Sequence, residues 1–95
     1  MRLNNFEVEA IKKSFKEVFK SGEIYLFGSR VDDTKKGGDI DLFIKTDEKK
    51  NLLEKKIDFL VKLKMKIGEQ KIDVVISKDK TKFIELEALK TGIKL

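Results

Sequence analysis

Two short runs, Asp39–Lys45 (DIDLFIK) and Lys71–Ser77 (KIDVVIS), alternate along the chain with period two, and each carries aspartate inside an apolar pattern. Successive side chains of a strand point to opposite faces, so this alternation predicts two strands. In the first, Ile40, Leu42 and Ile44 share one face, while Asp39, Asp41 and Phe43 share the other. In the second, Ile72, Val74 and Ile76 face one way and Asp73 and Val75 the other. Such strands need a sheet with its apolar face covered, and they carry their carboxylates to the opposite face.

The remaining elements follow from punctuation and periodicity. Asn4 or Asn5 caps a first helix running to about Lys20, with Ile11, Phe15, Val18 and Phe19 on one stripe and Ser21-Gly22 as its stop. Glu23–Phe27 reads as a short buried strand closed by Gly28-Ser29. Asp47 is the expected cap of a second helix reaching about Ile67, with Leu53, Ile57 and Leu60 inward and Gly68 at its end. A last helix is expected over Thr81–Thr91, using Phe83, Leu86 and Leu89. The order α-β-β-α-β-α predicts an α/β (α+β) chain: a mixed sheet flanked by helices, in one domain over residues 1–95.

Composition narrows the chemistry. Cysteine and histidine are both absent, which excludes disulfides, thiol nucleophiles, imidazole bases and histidine-ligated zinc. The chain has 22 basic and 17 acidic residues, a net charge of +5. That balance suits an anionic partner, although Lys and Glu interspersed on helical faces account for most of it. No run is long enough to span a bilayer and no signal-peptide core is visible, so the expected location is the cytoplasm.

Asp39 and Asp41, two apart on one strand, project from the same face with Cα atoms roughly 6.6 Å apart. If the third strand is a neighbour, Asp73 lies about 4.8 Å to the side. Like charges at ~4 Å cost on the order of 4 kcal/mol at an effective dielectric of 20, an arrangement that calls for cations. Oxygen-only ligands select Mg²⁺, or Mn²⁺ in its place. Two such ions ~3.5–4 Å apart can clamp an in-line phosphoryl displacement. Gly28-Ser29 suits a phosphate: glycine allows close backbone approach, and Ser29 adds a hydroxyl and an amide, expected at a helix N-terminus. Arg30 follows and can pair with phosphate oxygens. Lys35-Lys36 are read as a solvated loop.

Leu26-Phe27-Gly28-Ser29-Arg30, Gly38-Asp39-Ile40-Asp41-Leu42 and Lys71-Ile72-Asp73-Val74-Val75 together resemble the DNA polymerase β-type nucleotidyltransferase superfamily. The resemblance is closest to its minimal branch, the MNT antitoxins of HEPN/MNT pairs, and it covers the whole chain in element order. It implies that Asp39 and Asp41 bind both metal ions, that Asp73 completes the ion nearer the acceptor hydroxyl, and that Gly28 and Ser29 hold the triphosphate. Nine residues (30 through 38) separate Ser29 from Asp39, and Gly38 stands where many relatives have serine.

The function this implies is transfer of a nucleoside monophosphate, AMP from ATP, to a hydroxyl. With no acceptor-binding lobe visible, a partner supplies that hydroxyl, and the resemblance points to a tyrosine of a HEPN-domain toxin in a hetero-oligomer. Membrane and nucleic acid are not expected partners. The alternatives are an antitoxin that neutralises its partner by binding alone, and the catalytic subunit of an enzyme acting on a small molecule.

Overall fold

The computed structural model describes residues 3–31, 38–77 and 82–95. Lys35, Lys36 and Thr81 lie outside the described residues. The first helix, α1 (Asn5–Val18), opens on a capping box. The Asn4 side chain accepts from the Glu7 amide at 2.7 Å, and the Glu7 carboxylate accepts from the Asn4 amide at 3.1 Å. The helix stops two residues before the expected Lys20. Phe19 turns to extended backbone, donates its amide to the Phe15 carbonyl and stacks on the Phe15 ring, with centroids 5.3 Å apart.

Strand β1 (Glu23–Phe27) runs into a 3-10 turn over Gly28–Val31, and then come β2 (Ile40–Lys45), α2 (Leu52–Ile67), β3 (Ile72–Ile76) and α3 (Lys82–Thr91). A two-residue strand, β4 (Ile93–Lys94), ends the chain and was not expected from the sequence. Its pairing is non-local: it hydrogen-bonds beside Tyr25 and Leu26 of β1. The sheet order is β3-β2-β1-β4, with β2 and β3 parallel and the other pairs antiparallel.

The alternation read from the sequence holds on both strands. Ile40, Leu42, Ile44, Ile72, Val74 and Ile76 join Ile24 and Leu26 in one core, beneath Ile11 and Phe15 of α1 and Phe59 and Leu63 of α2. Each large apolar side chain fully buried there contributes about 1.5–3 kcal/mol. On the opposite face Tyr25, Phe43 and Ala88 form a second, smaller core under α3. The second face is covered only in part: Asp41 of β2 is half-buried and Asp73 of β3 is exposed.

Two helices present faces other than the expected ones. In α2 the inward residues are Phe59 and Leu63, with Leu60 half-buried and packed against the same core as expected, whereas Leu53 and Ile57 are 70 % and 54 % exposed. In α3, Phe83 and Leu86 are 85 % and 67 % exposed and Leu89 also faces solvent, while Ala88 and Ile84 meet the sheet. Both helices carry apolar residues around much of their circumference, so the periodicity fits more than one stripe. Nor does Asp47 cap α2. The helix begins after Asn51, which sits at φ +58° with no side-chain cap, and it ends at Gly68 (φ +87°) as expected.

Candidate active site

Parallel pairing of β2 with β3 sets Asp41 directly opposite Asp73, in register with Leu42–Val74 and Ile40–Ile72 on either side. Antiparallel pairing sets Phe27, the last residue of β1, opposite Asp41, so the 3-10 turn starts beside the same carboxylate. Asp39 lies just before β2 and two residues from Asp41, on its face of the sheet. The predicted carboxylates and the glycine turn are therefore brought to one corner of the sheet, at the starts of β2 and β3.

Gly28 fits this corner for two reasons. Its φ is +78°, a left-handed conformation that side-chain-bearing residues rarely adopt, and a Cβ built there would overlap Oδ2 of Asp41. The turn backbone therefore lies against the central carboxylate, and a side chain at position 28 would push the Asp41 carboxylate aside. The expectation of a helix N-terminus after Gly28 is met only by this four-residue 3-10 turn, and Ser29 is placed by its backbone alone. Arg30 Nε donates to the Gly38 carbonyl at 3.3 Å, tying the turn to the residue before Asp39.

The electrostatics are those of like charges brought close together. Burial pushes the Asp41 carboxyl above its ordinary pKa, and the neighbouring charges of Asp73 and then Asp39 push it further. Among the described residues no cation pairs with Asp41. Asp39 does have one: Lys71 Nζ lies 3.6 Å from its Oδ2. Lys71 was missed in the sequence, although its place two residues before Asp73 puts it on Asp73's side of the strand.

As the side chains stand, they make no ready-formed three-ligand metal group among the described residues. The donor set nonetheless fits a hard divalent cation. It is all oxygen, it concentrates negative charge, and the central member carries that charge against a desolvation cost. A cation of that kind, held by Asp39, Asp41 and Asp73, would neutralise charge developing on an attacking oxygen and on a leaving phosphate.

A small α+β domain with two aspartates opposed across a parallel strand pair, beside a glycine turn, is the architecture of a nucleotidyltransferase domain. The chain belongs to the nucleotidyltransferase family described as Polymerase beta, Nucleotidyltransferase, whose sequence pattern matches residues 9–95, a span that takes in every site residue above. Members of this family generally use divalent metals and take a nucleoside triphosphate as substrate. No curated protein matches the chain. No helix among the described residues is long and apolar enough to cross a membrane.

Proposed function

We propose that residues 1–95 act as one minimal nucleotidyltransferase domain that moves AMP from ATP to a hydroxyl, with Asp39, Asp41 and Asp73 holding Mg²⁺. The observation that carries this reading is the in-register Asp41–Asp73 pair, with Gly28 packed against Asp41. In the reaction the acceptor oxygen attacks the α-phosphorus, the bond to the bridging oxygen breaks, and pyrophosphate leaves. The hydroxyl proton passes to Asp73, the most exposed of the three carboxylates. Gly28 and Ser29 offer backbone amides to the triphosphate, and Arg30 stands at the same turn.

The proposed acceptor is a tyrosine of a HEPN-domain toxin in the cytoplasm, which the modification silences. Support comes from the resemblance to MNT antitoxins and from the outward apolar side chains Phe83 and Leu86 of α3, which suit a protein partner better than water. The same exposed face favours a second reading, an antitoxin that acts by contact alone.

Asp73→Asn separates the two. Co-expressed with the partner, an enzyme variant lacking Asp73 should bind the toxin yet leave growth arrested and the toxin's intact mass unchanged. Full protection with an unmodified toxin mass would sink the enzymatic route and leave the contact mechanism.

A further inference from the structure

Lys71 is the only residue at this corner that brings positive charge to a site carboxylate among the described ion pairs. Its backbone is fixed: the Lys71 carbonyl accepts from the Ile40 amide at 3.1 Å, which locks the start of β3 to the start of β2. Its side chain is not fixed, being 77 % exposed, with a single contact to Asp39 at 3.6 Å. A clamped backbone, a free four-carbon stem and a weak pair describe a cation that stays at the site but is easily moved off any one oxygen.

We propose that Lys71 is a built-in counter-cation of the carboxylate corner. It holds Asp39 while metal is absent and transfers its ammonium to the triphosphate once metal and nucleotide are bound. The inference rests on the reading of Asp39, Asp41 and Asp73 as metal ligands. A divalent ion on Asp39 would repel the ammonium, and its exposed, flexible stem would let it turn from Asp39 towards the phosphates of a bound ATP. Exposed lysine–carboxylate pairs are weak, so the hand-over is reversible.

Opposite effects on two binding reactions follow. With Mn²⁺ alone, Lys71 competes for Asp39, so Lys71→Gln should tighten Mn²⁺ binding, by up to about fivefold. With ATP present, Lys71 contributes a charge-assisted contact to phosphate, so the same variant should weaken ATP binding by about tenfold. Lys71→Arg should restore the ATP affinity.

The experiment titrates Mn²⁺ by electron paramagnetic resonance and ATP by calorimetry at saturating Mn²⁺, for wild type, Lys71→Gln, Lys71→Arg and Lys16→Gln. Lys16 is exposed on α1 beyond the other face of the sheet, so its variant makes the same change in net charge far from the corner. Opposite shifts in Lys71→Gln, absent from Lys16→Gln, support the inference. Two shifts of the same sign, no shift, or equal shifts in Lys16→Gln overturn it while leaving the metal site intact. A wild-type chain that binds neither Mn²⁺ nor Mn²⁺ with ATP overturns the site reading and this inference together.

Discussion

Asp41 combines the constraints of the site in one side chain. It faces Asp73 across a parallel pair, has Gly28 against its carboxylate, and is partly withdrawn from water. Because its folded pKa lies above the ordinary 3.8, the folded chain keeps a proton that the unfolded chain has already released. Stability therefore falls as pH rises through that interval, and at neutral pH the ionised carboxylate is a burden on the metal-free fold. Asp41→Asn should lose transfer by about 10³-fold or more, as expected when an electrostatic group is removed from a transfer site. The same variant, free of metal, should melt no lower than wild type at pH 7, and the difference should vanish in acid below about 3.8. Melting curves at several pH values check both points, and a variant unfolded at pH 7 would make Asp41 a structural residue. Asp39, Asp41 and Gly28 could all be singled out in the linear chain, since a two-residue spacing and a glycine after a strand are local features. The Lys71–Asp39 pair was not visible there, because it depends on β3 lying beside β2.

Helix and strand boundaries were mostly legible, but not what anchors them. No side chain takes the capping role expected of Asp47, but its neighbour anchors a different junction. Glu48 accepts from the backbone amides of Lys20 and Ser21, meets the Thr46 hydroxyl and pairs with Lys55, so one carboxylate closes the α1–β1 connection against the β2–α2 connection. Its Lys55 partner holds the carboxyl below the ordinary range, aided by the Ser21 amide and Thr46. Glu48→Ala leaves two amides without this acceptor and should cost about 2 kcal/mol. For a domain of this size that lowers Tm by about 10 °C, measurable by circular dichroism. An unchanged Tm would show that water replaces the carboxylate at no cost. Glu48→Gln should retain part of the stability, since the amide oxygen still accepts. The inward stripes of α2 and α3 were misread because Leu53, Ile57, Phe83 and Leu86 satisfy a helical period as well as Phe59, Leu63, Ile84 and Ala88 do. Periodicity identifies a helix that is apolar on several sides without saying which side the sheet will take.

Across the molecule, α1 and α2 cover one face of a four-stranded sheet, α3 covers part of the other, and the carboxylate corner stands where that second covering thins. Such a small domain has limited core, so ligands weigh heavily on its stability. At 100 times their Kd, Mg²⁺ and ATP together should stabilise the fold by about 2.7 kcal/mol. That corresponds to a Tm rise of about 10–20 °C in a thermal-shift assay. Absence of any response to saturating Mg²⁺ with each of several nucleoside triphosphates would remove the nucleotide from this corner. Residue alternation alone determined which side chains of β2 and β3 share a face, because the strand repeat is a property of the backbone. Local chemistry likewise determined the start of α1, through Asn4 and Glu7, and the end of α2 at Gly68. Tertiary structure decided the rest. It chose the parallel register that opposes Asp41 to Asp73, the neighbour that brings Lys71 to Asp39, the stripe each helix buries, and the pairing of Ile93–Lys94 with β1. Each of these joins residues distant in sequence, and their geometry is set by how sheet and helices pack together.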